Sequence, residues 1–351
     1  MEYTTIGESC SVVSGGTPSR SKTEYWRNGT IPWIKIGNIK SKYVNEYDEL
    51  ITEQGLNNSS AKLLKKGTIL YTIFATLGEV GILDTEACTN QAIAGININD
   101  PRITTDYLYY YLKSKKDYVN NIGRGVAQNN INLTILKKFE IPLINVDKQL
   151  YIVEVLEKVE RMIGLKKKEI DDLDLLIKAR FVELFGDPVQ NPFGWKKKRF
   201  DEICENLDSR RKPITSSDRV VGVYPYYGAS GIVDYVEDYI FDEDILLVSE
   251  DGANLLMRST PIAFSVSGKV WVNNHAHVVR FKKMFLQKYI EILFSLIDIS
   301  DSITGSAQPK LNQAKLNAME FPIPDEDRLE KYLSFLEQVD KSKFRDFVPH
   351  K

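Results

Sequence analysis

The stretch at residues 128–161 recurs without a gap at 308–341. Gln128, Asn132, Leu136, Glu140 and Pro142 return as Gln308, Asn312, Leu316, Glu320 and Pro322, and the run 156–161 (LEKVER) returns as 336–341 (LEQVDK). A chain written twice, with each half ending in the same helix, has pseudo-two-fold organisation. Its ligand should then offer two related places to hold, and duplex DNA has two-fold character of its own.

The 351 residues suggest two or three domains rather than one. Apolar residues make up 43%, enough for ordinary cores. The formal net charge of -2 advertises no polyanion partner, although only the contacting face need be positive. Cys10, Cys88 and Cys204 lie far apart, with neither a disulfide framework nor a metal spacing, which points to a reducing, cytoplasmic setting. The first residues carry no secretory pattern. The most apolar segment, 290–299, is too short to span a bilayer and contains Glu291 and Asp298, so no membrane role is expected.

Residues 1–145 are rich in Gly, Asn, Thr and Tyr, with short apolar runs at 31–36, 68–73 and 95–98 that read as strands between turn residues. A helix is expected over 107–118. Mixed short strands and few helices indicate an α+β domain. Residues 146–187 change character. Ile152, Leu156, Val159, Ile163, Lys166, Ile170, Leu173, Ile177, Arg180 and Leu184 alternate in steps of four and three, a heptad seam with two charged interruptions. Gly186-Asp187-Pro188 stops it. Such a helix is a spacer or a coiled-coil arm, or else a long core helix. Residues 188–324 return to the first style. The 220–227 run resembles the Ile31-Pro32-Trp33 region, and Asn274-His275-Ala276-His277 echoes Asn90-Gln91-Ala92-Ile93. Residues 325–351 hold a second helix whose seam, Tyr332, Leu336 and Val339, ends early at Lys343. The expected architecture is two similar α+β domains separated by long helices.

In this order the motifs resemble the specificity subunit of type I DNA restriction-modification systems. They are Ser14-Gly15-Gly16-Thr17-Pro18, then Glu24-Tyr25-Trp26, then Ile31-Pro32-Trp33-Ile34, the paired exits through Pro142 and Pro322, and the run 179–188 after the central helix. The resemblance covers nearly the whole chain. It implies a target recognition domain in each half (1–145 and 188–324), each reading one part of a split site in double-stranded DNA. It implies that the two helical regions pair as an antiparallel coiled coil and set the distance between domains. It also implies partners. Modification subunits would bind S-adenosylmethionine and methylate adenine, and a restriction subunit would use ATP and Mg. This chain would supply no chemistry and hold no cofactor itself. The short second helix departs from the pattern; a naturally short form and a shortened chain both fit. The uncovered part of the seam is then left for a modification subunit or for self-association.

The residues carry little sign of catalysis. Asn191-Pro192-Phe193-Gly194 lacks the second proline of an adenine-methyltransferase motif and reads as a turn. No Gly-rich phosphate cradle occurs. Asp325-Glu326-Asp327 suits a helix N-terminus. His275 and His277 lack acid or thiol partners at ligand spacing, so no metal is expected. A free-standing methyltransferase or nuclease, and a two-lobed protein scaffold, are the competing readings. DNA contacts are expected from polar and basic loop residues: Arg20, Lys22, Lys35, Asn38, Lys40, Arg124, Gln128 and Asn129 in the first half, and Arg210, Arg211, Lys212, Tyr226, Tyr227 and Lys310 in the second. Helix packing is expected through Ile152, Leu156, Val159, Ile163, Ile170, Leu173, Ile177, Leu184, Tyr332, Leu336 and Val339.

Overall fold

The computed structural model describes residues 2–123, 130–305 and 308–344. The chain divides into two units, Met1–Gly164 and Leu165–Lys351, and the boundary falls inside the central helix Val146–Phe185. Among the described residues, no helix is long and apolar enough to cross a membrane.

In unit 1, strands Cys10–Ser14, Ile93–Ile98, Ile69–Thr72, Val80–Leu83 and Tyr43–Val44 form one sheet in that order. Its central strands are apolar on both faces: Ile69, Leu70, Tyr71, Ile93, Ala94 and Ile96 are fully buried. One face packs against helix Thr105–Ser114, which Thr104 caps by accepting the Tyr107 amide. The expected helix at 107–118 is thus two, with Lys116–Gly123 following Lys115. The other face supports a second sheet made of Glu49–Ile51, Ile31–Ile34 and Cys88–Thr89. A separate ribbon pairs Glu2–Thr5 with Glu140–Leu143.

Unit 2 repeats the plan. Its main sheet runs Glu205–Asn206, Ala276–Arg280, Ile245–Ser249, Ala263–Val266, and helix Met284–Leu296 packs on it. The second sheet runs Gly231–Val236, Val221–Gly228, Lys269–Val272, Phe241–Asp242. The ribbon pairs Lys197–Arg199 with Glu320–Pro322. The repeated exit residues do the same work twice. Asn132 and Asn312 cap short helices by accepting the amides of Ile135 and Lys315. Leu136 and Leu316 are fully buried. The carbonyls of Pro142 and Pro322 accept from Tyr107 and Tyr289.

The central helix is 40 residues long; the face it buries departs from the heptad seam in unit 1 and follows it in unit 2 except at Arg180. In unit 1 the buried positions are Gln149 and Val153, one step from Ile152. Gln149 accepts from the Thr104 amide and donates to the Arg102 and Ile144 carbonyls. Glu157 and Glu160 continue that face by binding Lys42, Tyr110 and Lys113. In unit 2 the face runs Leu173, Ile177, Phe181, Leu184, Phe185, so Phe181 displaces Arg180. The turn of 3.6 residues does not hold a repeat of 3.5, so the stripe drifts where no supercoiled partner corrects it. Leu156, Val159, Ile163 and Ile170 are exposed, with Ile163 at 50%.

Within unit 2 the helix Glu326–Phe344 covers the end of that stripe. Tyr332, Leu336 and Val339 are buried as expected. Tyr332 sits among the rings of Phe181 and Phe185 and donates to the Ile177 carbonyl. Arg328 binds the Leu184 carbonyl and Lys343 pairs with Asp174, so the two segments run antiparallel.

Candidate nucleic-acid interface

The ladders align the halves more finely than the sequence does. In unit 1 Trp33 lies opposite Glu49 and beside Cys88. In unit 2 Tyr226 lies opposite Asp234 and beside Trp271. Pro32-Trp33-Ile34 and Pro225-Tyr226-Tyr227 are therefore the same element. The Asn90 side chain accepts the Ala92 amide, and Asn273 accepts the His275 amide in the same way. Asn90 corresponds to Asn273, and the expected match with Asn274 is out by one residue. At the sheet end, Ile131 donates to the Ile73 carbonyl and Leu311 to the Glu250 carbonyl, while Phe74–Asn130 and Asp251–Lys310 form matching bridges.

Both aromatic residues anchor the loop that follows the first strand of their unit's main sheet. The Trp33 indole donates to the Gly16 carbonyl. The Tyr226 hydroxyl accepts the Ile214 amide at 3.0 Å and donates to the Ile214 carbonyl at 3.3 Å. The glycines at 15 and 16 are required by this packing: a Cβ would collide with the Asn90 carbonyl at one and with the Ser60–Ala61 backbone at the other. Each anchored loop then lays an arginine over the ring and against the opposing acid. Arg20 lies 4.9 Å from the Trp33 ring centre and 3.6 Å from that of Trp26, and pairs with Glu49. Arg219 lies 4.5 Å from the Tyr226 ring centre and pairs with Asp234 at 3.2 Å. The hydrogen bond from Arg20, with Lys35 adding to it, holds the Glu49 carboxyl below the usual range. The Tyr235 amide and then Arg219 do the same for Asp234.

Several expected contact residues are placed otherwise. Tyr226 is 1% exposed and is an anchor, not a surface residue. Asn38 is 5% exposed; it accepts the Lys35 amide and donates to Asp48. Lys35 is committed to Glu49 at 2.8 Å and to Asp48 at 3.5 Å. Arg210 lies over Phe241 and pairs with Glu243. Arg211 is drawn into the interior. Lys22 and Lys40 stand at the surface, Lys22 donating to the Tyr25 hydroxyl and Lys40 reaching Glu46. Lys212 is exposed and Tyr227 half-buried. Lys310 reaches Glu250. Arg124, Gln128 and Asn129 lie outside the described residues. Arg219, Glu49 and Asp234 were not anticipated. No sequence signal marks them, because their spacing from Trp33 and Tyr226 differs between the halves.

Unit 2 carries a charged cluster beneath this surface. Arg211 donates to Glu250 and to the Ala276 carbonyl, both at 2.7 Å, and stands 3.4 Å from Asp208. The ring nitrogens of His277 face Asp208 at 2.6 Å and the Leu311 carbonyl at 2.8 Å. Burial works to raise the Asp208 carboxyl, yet the His277 bond, the Val278 amide and the Arg211 charge hold it below the ordinary range. Glu250 is balanced in the same sense, with burial opposed by Arg211, His277 and Lys310. Asp208, Glu250 and His277 bring ligand-type atoms within 4.8 Å of one another. Arg211 already supplies the positive charge there, so the group reads as an ion-pair network rather than a cation site. The strand ladders set Ala94 and Ile73 of unit 1 at the places of His277 and Glu250.

The type I restriction modification DNA specificity domain matches residues 1–175 and 192–345. The chain is 27% identical to the type I restriction enzyme MjaIX specificity subunit of Methanocaldococcus jannaschii, over 95% of this chain and 84% of that one. It is 22% identical to the EcoprrI specificity subunit of Escherichia coli, over 97% and 88% respectively. The crystal structure of a type I restriction-modification S subunit from M. genitalium superposes with a TM-score of 0.54 at 17% identity, covering 97% of this chain and 91% of the other. The chain therefore belongs to the family of type I restriction-modification DNA specificity subunits.

Proposed function

We propose that each unit reads one block of a split target in double-stranded DNA, and that the chain thereby directs methylation and cleavage carried out by partner subunits. The observation that carries this is the pair of matching platforms, each a Pro-aromatic strand anchoring a loop whose sequence differs between the halves. A common frame with unlike loops is what two different base sequences on one duplex require. The surface residues Arg20, Lys22, Lys40, Lys212, Tyr227 and Lys310 are candidates for this contact. S-adenosylmethionine, and ATP with Mg, would be held by the modification and restriction subunits and not by this chain.

The uncovered stripe on the central helix suits the modification subunits. Val155, Leu156, Val159, Met162 and Ile163 are exposed together, and an apolar patch of this kind marks an interaction surface. Pairing with a second copy of the chain is the competing occupant. The test of the central reading is an exchange of residues 1–145 for the corresponding region of a relative with a different target. One block of the methylated motif should change and the other stay. Simultaneous change of both blocks refutes the division of labour.

A further inference from the structure

We propose that the two ion pairs, Arg20–Glu49 in unit 1 and Arg219–Asp234 in unit 2, are equivalent readers of a guanine·cytosine base pair, one in each block of the target. The inference rests on the DNA-reading function and adds to it which side chains recognise which base pair.

The equivalence comes from register. Glu49 and Asp234 are the residues directly opposite Trp33 and Tyr226. The arginines reach these positions from loops that share no visible motif. Folding has thus built one arrangement twice from different sequence: an aromatic ring, a guanidinium over it, and a carboxylate beside it. The loop backbones are fixed by the Trp33 and Tyr226 hydrogen bonds, so the guanidinium planes are set before any ligand arrives, which limits the entropy lost on contact.

The chemistry points to base edges. An arginine and a carboxylate side by side carry little net charge, which makes a poor phosphate grip. Together they offer donors and acceptors in a fixed order. Guanine presents O6 and N7 as acceptors in the major groove, and its cytosine presents the N4 amino group as a donor. The guanidinium matches the first and the carboxylate the second. Donors remain for this. Arg20 commits Nη1 to Glu49, and Arg219 commits Nε to the Ile214 carbonyl and Nη1 to Asp234. Among the described residues, Nη2 of each has no hydrogen-bond partner. Both pairs are open to solvent on one side: the Arg20 and Asp234 side chains are 53% and 41% exposed, and those of Glu49 and Arg219 27% and 21%.

The test uses the full chain, co-expressed with its modification subunits, and mapping of methylated adenines across the genome. The wild-type motif should contain at least one G·C pair in each block. Arg20→Gln should lower the preference for one such pair by about ten-fold or more in one block only, and Arg219→Gln should do so in the other. Glu49→Gln and Asp234→Asn should loosen the same two positions. Arg20→Lys and Arg219→Lys keep the charge and the ion pair but lose the fork, and should loosen them too. A block without a G·C pair, unchanged motifs in assembled variants, or failure of both Gln and Lys forms to accumulate would overturn the proposal, the last by assigning the pairs to folding. Absence of any two-block methylation by the wild type would instead refute the DNA-reading function itself.

Discussion

Replacing Arg211 with Ala separates surface from interior. An exposed basic residue in a DNA-binding loop would be lost at little cost to the fold, within about 0.5 kcal/mol. Arg211 is not in that position. Its guanidinium is spent on Glu250, the Ala276 carbonyl and Asp208, and its side chain and those of both acids are largely buried, at 13%, 12% and 6% exposure. Breaking a buried pair by removing one member costs about 3–5 kcal/mol, because the remaining charge has lost both water and partner. His277 and Lys310 stay beside the carboxylates, which places the expected loss near the low end, about 3 kcal/mol. For a unit of this size that is a fall in Tm of about 6–12 °C. The pH dependence has a definite sign. Asp208 and Glu250 are held below their ordinary values in the folded chain. The stability they contribute is present above about pH 4–5 and is lost as pH falls through the folded values. The deficit of the variant should therefore stay nearly constant from pH 7 to about 5 and shrink only as pH falls below about 4, through the folded values. Calorimetry or circular dichroism at several pH values measures it, with Lys212→Ala as the exposed control. A Tm within 2 °C of wild type at pH 7, with only weaker DNA binding, would show that Arg211 serves the surface and that the buried network does not depend on it.

Tyr332→Ala should cost about 3–5 kcal/mol in denaturant unfolding, because a fully buried ring is lost from between Phe181 and Phe185; a change below 1 kcal/mol would mean that this contact does not hold the C-terminal helix. Val159→Glu with Ile163→Glu should leave the Tm of the isolated chain nearly unchanged, since both side chains are about half exposed, yet should abolish co-purification with the modification subunits. Intact assembly of that double variant would exclude the central stripe as their docking surface.

The exit repeat and the long helix were legible because both are local. Asn132 and Asn312 cap helices that begin one residue later, Leu136 and Leu316 point into their cores within one turn, and a periodic apolar pattern free of Pro, with Gly164 its single Gly, carries a helix to Gly186. The stripe that the helix buries was misplaced by one residue at two points, while Leu173, Ile177 and Leu184 lie on it as expected. Choosing Val153 over Ile152 and Phe181 over Arg180 belongs to the surfaces that the helix meets, and a heptad template assumes a supercoiled partner along its whole length. Asn38, Arg211 and Tyr226 were misjudged for a related reason. A basic or polar residue in a loop has the same letters whether it faces solvent or an acid brought from far along the chain. The sequence by itself determined that the chain is built twice around a helix, because capping, periodicity and turn chemistry act over a few residues. Only the tertiary structure decided that Trp33 answers to Tyr226, Glu49 to Asp234 and Arg20 to Arg219, because strand register is set by hydrogen bonds between segments whose separation differs from one half to the other.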